Sequence, residues 1–183
     1  MLTKKQVAFL ESLVDVYPDY PKEGVSFKDL SPLYTDPYAM KMIADDFSER
    51  LGPYDHDCVI GCDARGFILG TLLAQKMGLP LVLARKPGKL PGEIISKKYD
   101  LEYGTAELQM HQHIIKQYHQ PIIADDVLAT GGTAIAVGDL MYDMNIKDFS
   151  FAFISEVSVC GGRDKIKSKF NIRDGRVISA LKA

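Results

Sequence analysis

Val7, Leu10, Leu13 and Val14 stand three or four residues apart, the spacing of one helical face, and predict an amphipathic helix over residues 4–14. A proline-rich loop, Tyr17-Pro18-Asp19-Tyr20-Pro21, follows. Asp36-Pro37 then pairs a capping side chain with a proline at the first helical position and predicts a helix running to Leu51, where Gly52-Pro53 stops it. The unbroken apolar run 58–62 reads as a short buried strand, residues 67–77 as a helix packed on it, and 79–84, after Gly78, as the next strand. Strand, helix and strand in about 30 residues make a βαβ unit, hence parallel strands joined by a right-handed crossover. The pattern recurs downstream: a strand at 121–126, a Gly-rich turn at 130–133, a helix at 134–144, a strand at 149–156 and a short final strand at 177–181. The prediction is therefore an α/β fold, one domain over 1–183, with a central mostly parallel sheet flanked by helices.

Residues 86–104, interrupted by Pro87, Gly88, Pro91, Gly92 and Gly104, form a long loop or hairpin. A loop of that length in a compact domain reads as a lid or a surface insertion.

Composition narrows the function. With 46% hydrophobic and 25% charged residues the chain can bury a core, which excludes disorder as its main state. The 22 basic and 24 acidic residues leave a net charge of −2, so no global positive field draws in nucleic acid. No apolar stretch approaches the roughly 20 residues of a membrane span, and the N-terminal segment, broken by Glu11 and Asp15, does not read as a signal peptide. Three cysteines without metal-site spacing fit a reducing, cytoplasmic setting. Cys58 and Cys62 on one strand would stand roughly 13 Å apart, too far for a disulfide or a shared metal. Among His56, His111, His113 and His119, the pair His111-x-His113 places two imidazoles on one strand face if that segment is extended; lacking acidic or cysteine partners, these histidines read better as surface groups than as metal ligands.

The sharpest chemical signal is the string Ile122-Ile123-Ala124-Asp125-Asp126-Val127-Leu128-Ala129-Thr130-Gly131-Gly132-Thr133. Glycines at such a turn let backbone N–H groups converge on an anion, threonines add hydroxyl donors, and the following helix contributes its positive end. The acids stand at the carboxyl end of the strand, where open α/β sheets bind ligands, and carboxylates accept hydrogen bonds from sugar hydroxyls. Together the stretch suits a ribose 5-phosphate, with Thr130, Gly131, Gly132 and Thr133 on the phosphate and Asp125 and Asp126 on the 2- and 3-hydroxyls. The blander alternative is a capped helix after a strand with two solvated acids. No lysine follows the glycines and the Gly-x-Gly-x-x-Gly spacing is missing, so neither a nucleotide hydrolase nor a dehydrogenase is supported.

This string resembles the phosphoribosyl diphosphate motif of type I phosphoribosyltransferases. Four further segments, in order along nearly the whole chain, resemble signatures of the adenine phosphoribosyltransferase family: Tyr20-Pro21-Lys22-Glu23-Gly24-Val25-Ser26-Phe27-Lys28-Asp29, Asp63-Ala64-Arg65-Gly66-Phe67, Arg85-Lys86-Pro87-Gly88-Lys89-Leu90-Pro91-Gly92 and Leu101-Glu102-Tyr103-Gly104. The resemblance implies the type I fold with a small N-terminal hood at about 1–35 and a mobile lid at about 86–105. It implies conversion of adenine and phosphoribosyl diphosphate to AMP and diphosphate with Mg2+, the ion held by substrate and water and not by protein side chains. It implies further that Arg65 binds the diphosphate, joined from the lid by Lys86, Lys89 and Tyr103, and that the Asp63–Ala64 peptide is a candidate for the cis form. Glu102 becomes the general acid or base on adenine. Phe27 stacks on the purine while a carbonyl near Val25 and an N–H near Lys28 read its edge.

In related 6-oxopurine enzymes an aspartate precedes the Thr-Gly turn; here the place is taken by Ala129, which disfavours hypoxanthine and guanine. Many family members carry proline where this chain has Glu23 and arginine where it has Lys28. The segment 151–157 matches the one whose aliphatic residue covers the other face of the base, with Glu156 either orienting groups in the hood or simply ending a strand. Two other readings remain: a xanthine or other purine transferase, and a regulatory module that senses phosphoribosyl diphosphate. The second lacks the extension or basic face such a module needs. The family is commonly homodimeric with Arg85 near the partner's site, so a homodimer is expected, with no nucleic-acid or membrane partner.

Overall fold

A computed structural model gives the architecture and describes every residue except Pro21, Val25, Glu102, Tyr103 and Ala183. Five strands, β3 (Cys58–Cys62), β4 (Leu81–Ala84), β7 (Pro121–Leu128), β8 (Ser150–Glu156) and β9 (Val177–Lys182), form one parallel sheet in the order β4-β3-β7-β8-β9. Their near-continuous apolar sequences follow from burial on both faces. Side chains alternate across the sheet. Val59, Ile122, Ala124, Ala152 and Ile154 pack with α1 (Lys4–Glu11), α3 (Pro37–Leu51) and α4 (Gly66–Met77), while Ile60, Cys62, Ile123, Phe151 and Phe153 face α6 (Gly132–Asp143) and α7 (Gly162–Phe170).

Helix ends follow local chemistry. Thr3 and Gln6 close a capping box at the start of α1. The Asp36 carboxylate accepts from the N–H groups of Tyr38 (2.8 Å) and Ala39 (2.9 Å) ahead of α3, and Pro37 fills the first position.

Strand order positions the site. From β3 the chain crosses to β4 on one side, and from β7 it proceeds through β8 to β9 on the other. The direction of winding therefore reverses between β3 and β7, and the crevice at their carboxyl ends is where such sheets take ligands.

Several boundaries differ from the expectations. The first helix ends at Glu11, because residues 15–17 are drawn into strand β1 (Asp15–Tyr17), which pairs antiparallel with β2 (Phe27–Asp29) in the register Val16↔Lys28 and Tyr17↔Phe27. A hood ribbon thus flanks the proline-rich loop, and the short helix α2 (Ser31–Thr35) follows it. Strand β7 runs on past both acids to Leu128, held there by pairing with β8. The lid is a hairpin, β5 (Ile94–Leu101) and β6 (Gly104–His111), whose second strand reaches beyond residue 105 and roots in the core through Leu108 and Met110. His111 ends that strand and His113 lies in α5 (Gln112–Ile115), so the two do not share a strand face; their rings stand 5.4 Å apart. Cys58 and Cys62 are buried free thiols on β3, and burial pushes both thiols up from their ordinary pKa. Among the described residues no helix is long and apolar enough to cross a membrane.

Candidate functional site

The two strands that border the switch point each deliver one half of the chemistry. After β3 the chain turns through Asp63, Ala64 and Arg65 into α4, and the Asp63–Ala64 peptide is cis. Gly66 lets this turn lie against β7: a Cβ there would stand 2.7 Å from the Ala124 carbonyl oxygen and 2.8 Å from Asp125 Oδ1. The Arg65 Nε consequently meets Asp126 Oδ2 at 2.6 Å. Asp126 is buried, whereas about half of the Arg65 side chain faces solvent (53% exposed), which leaves its outer guanidinium edge open to an anion.

Asp125 lies one residue before, its Oδ1 accepting the Asp126 N–H at 2.9 Å. Burial, and then the negative charge of Asp126 beside it, hold the Asp125 carboxyl well above the ordinary carboxylate range. One acid is thus paired with arginine and its neighbour stands beside it at the strand's end, an arrangement of carboxylate acceptors suited to a diol.

Beyond β7 the turn 129–132 reaches the N-terminus of α6. Gly131 has φ +83°, the left-handed region that glycine enters without a steric penalty, and its carbonyl accepts from Ile135 N–H at 2.8 Å. Asp125, Val127 to Ala134 and Phe153 line a cavity of about 90 Å3 here. Unpaired N–H groups of the first helical turn and the hydroxyls of Thr130 and Thr133 suit a phosphate. Ala129 contributes no charge. The Tyr99 hydroxyl of β5 stands 3.5 Å from Thr133 Oγ1, so the β5–β6 hairpin meets the start of α6.

On the hood, Phe27 packs edge-on against Tyr20 (ring centroids 5.2 Å apart), and the Arg65 guanidinium carbon stands 6.0 Å from the Phe27 ring centre. A single arginine thereby links Asp126 on the sheet to Phe27 on the ribbon. Lys28 sits opposite Val16 on the ribbon and, with Val14, Val16, Ser155 and Leu181, lines a cavity of about 210 Å3. Lys86 and Lys89 are exposed at the base of the lid, with no carboxylate salt bridge among the described residues; Lys86 borders a cavity of about 350 Å3 with Tyr99 and Thr105. Val25, Glu102 and Tyr103 fall outside the described residues.

Two features of the site escape a reading by motif. Asp63 Oδ2 accepts from Arg85 Nε at 2.9 Å and from the Lys86 N–H at 3.4 Å, which ties the lid's entry to the Arg65 turn. Burial alone would raise the Asp63 pKa, but the Arg85 guanidinium and that N–H outweigh it and hold the carboxyl below its ordinary value. Glu156, left open by its sequence, is buried and bound to Arg163. An acid beside an arginine signature was the available signal for the first; no local signal marks the second.

A family model for the phosphoribosyl transferase domain matches residues 37–178, a span that takes in the whole parallel sheet up to Ile178, the acid pair and the turn before α6. The adenine phosphoribosyltransferase of Geobacter metallireducens is 42% identical over 172 residues, covering 94% of this chain and 97% of that relative. The solved adenine phosphoribosyltransferase of Thermoanaerobacter pseudethanolicus superimposes with a TM-score of 0.84 at 34% identity, covering 97% of this chain and 99% of that one. The Saccharomyces cerevisiae enzyme, solved with an imino-altritol bisphosphate and adenine, gives 0.85 at 30% identity, covering 98% and 100%. The chain belongs to the adenine phosphoribosyltransferase family.

Proposed function

We propose that the crevice between β3 and β7 transfers the phosphoribosyl group of 5-phosphoribosyl 1-diphosphate to adenine, giving AMP and diphosphate in purine salvage. The observation that carries the reading is Arg65, held by Asp126 at 2.6 Å and set beside Phe27, where diphosphate, ribose and base must meet. The 5-phosphate takes the turn 130–133 and the start of α6. The ribose hydroxyls take Asp125 and Asp126.

The reaction is a displacement at the anomeric carbon. The bond from that carbon to the diphosphate oxygen breaks, the bond to adenine N9 forms, and the N9 proton leaves for a base. Because diphosphate gains charge as it departs, groups aimed at it lower the barrier more than groups that bind the ground state. Arg65 supplies a planar donor set for this, and Lys86 and Lys89 approach from the lid. Glu102 takes the proton role, with Tyr103 beside it on the diphosphate. Phe27 stacks on the purine, while the backbone near Val25 and Lys28 pairs with its amino edge; a 6-oxopurine would set oxygen against oxygen and leave buried groups unpaired.

Magnesium fits as an ion carried by the diphosphate. Asp126 already faces Arg65 at 2.6 Å, so the acid pair suits indirect contact through water better than direct coordination. The ion would supply neutralisation of the leaving group's charge. The reading extends to a cytoplasmic setting, with which the free thiols of Cys58 and Cys62 agree, and to a homodimer, which a solution mass of one 20.3 kDa chain would refute.

The test offers adenine, hypoxanthine, guanine and xanthine with phosphoribosyl diphosphate and magnesium and resolves the nucleotide products. AMP from adenine alone is the expected result. A product from a 6-oxopurine would overturn the base assignment, and no product at all would favour a sensor of phosphoribosyl diphosphate.

A further inference from the structure

Glu156 closes β8 and is buried, only 5% of the residue being exposed. Arg163, the second residue of α7, donates Nε to its Oε1 at 2.8 Å and Nη2 to its Oε2 at 2.5 Å. The same guanidinium donates Nη1 to the Val177 carbonyl at 2.5 Å and Nη2 to Ser179 Oγ at 2.9 Å, and Ser179 Oγ donates to Glu156 Oε2 at 2.7 Å. One ion pair thus binds β8, β9 and α7 together. None of these three side chains lines the phosphate cavity.

What they hold does border it. Gly162, immediately before Arg163, is pressed onto the phosphate turn: a Cβ on it would lie 2.2 Å from the Ala129 carbonyl oxygen and 2.9 Å from the Gly131 nitrogen. From the other side, a Cβ on Gly131 would meet the Gly162 carbonyl oxygen at 3.2 Å. The Val157 N–H donates to the Leu128 carbonyl at 2.8 Å, and β8 pairs Glu156 with Leu128. The turn that takes the phosphate therefore rests on backbone whose position is set by Arg163. Buried ion pairs contribute little net stability compared with apolar packing, so a fixed geometry is the better account of this one.

We propose that Glu156, Arg163 and Ser179 form a positioning unit that, through Gly162, holds the turn 129–132 in its phosphate-binding shape and so sets affinity for the ribose 5-phosphate end of the substrate. The inference rests on the reading of that turn as the phosphate site, and it concerns no contact with substrate.

Arg163→Lys keeps the charge and loses the fork that reaches four acceptors. It is expected to raise the KM for phosphoribosyl diphosphate and the Kd for ribose 5-phosphate about tenfold, roughly 1.4 kcal/mol, with kcat and the adenine KM within about twofold. Gly162→Ala, which must push the turn outward, is expected to weaken ribose 5-phosphate more strongly still. Ser179→Ala removes one hydroxyl and keeps the ion pair, so it serves if the other variants do not fold; an effect of about threefold in the same direction is expected. Folded variants with a lowered melting temperature but unchanged ribose 5-phosphate affinity would overturn the proposal, as would a parallel rise in the adenine KM. Calorimetric binding of ribose 5-phosphate decides this role independently of turnover, whereas failure of the native chain to form AMP would count against the proposed reaction.

Discussion

Asp125 and Asp126 stand on β7, the central strand of five, and the turn proposed to take the phosphate follows directly from it, with β3 and β8 paired on either side and helices over both faces. Phe27 and Lys28 stand on a three-residue strand whose only partner in its sheet is another three-residue strand. On the proposed reading the ribose-phosphate half must hold charged groups to within fractions of an ångström, and it is built where displacement would disturb the whole core. The purine half must admit and release a flat base, and it is built from elements that add little to the sheet. Elements with few buried contacts open at low free-energy cost, so on the proposed reading the base side is the one expected to open while the sugar side holds.

Arg65 spans the two halves, and its loss breaks the comparison hardest. Arg65→Ala removes the cation facing the departing diphosphate and leaves the buried Asp126 without its partner. A fall in kcat/KM on the order of 10²- to 10³-fold is expected, read by steady-state AMP formation at saturating magnesium. A change smaller than tenfold would mean that the diphosphate is held from the lid.

The halves separate cleanly in the next two variants. Gly131→Ala places a side chain at φ +83°, a strain of about 1–3 kcal/mol, and is expected to weaken ribose 5-phosphate binding by about ten- to a hundredfold with the adenine KM unchanged. Phe27→Ala should do the converse: the adenine KM rises about tenfold through loss of stacking, and calorimetry with ribose 5-phosphate shows no change. If either variant moves both quantities equally, the two halves are coupled and the division of labour fails.

The same contrast governs what the sequence discloses. Strands β3 and β7, the helix α4 and the acid pair are all legible, because buried parallel strands are continuous apolar runs and two acids followed by a Thr-Gly-Gly-Thr turn after such a strand narrow the reading. The ribbon of β1 and β2 is not, since three residues carry no periodicity and the prolines between them read as loop. α7 is equally silent: only Gly162, Ile166 and Phe170 of its nine residues are buried, and its charged remainder looks like a solvated surface. The pairing of Glu156 with Arg163 arises from a strand end meeting a helix start across a turn, a juxtaposition that tertiary packing creates and no spacing rule encodes. Residues 86–104, legible only as a long loop or hairpin, prove to be a hairpin, and what the sequence hides is that its second strand is core at Leu108 and Met110.

The smallest effect tests how firmly the mobile side is tied to the fixed one. Asp63 is the link, accepting from Arg85 Nε at 2.9 Å at the entry to the lid, with both side chains less than a third exposed. Its carboxyl is held below the ordinary value, so its charged form is favoured in the folded chain. The stability it contributes is therefore complete above the unfolded carboxylate pKa of about 3.9 and is lost as pH falls through the lower folded value. Asp63→Asn keeps an acceptor and removes the charge. Urea unfolding is expected to show the variant less stable by about 1 kcal/mol at pH 7. The difference should shrink as pH drops below that of the unfolded carboxylate, because the native Asp63 then becomes neutral as well. A deficit that persists undiminished at low pH would assign the effect to packing around the Arg65 turn, and the lid would then be tied to the rigid half by shape and not by charge.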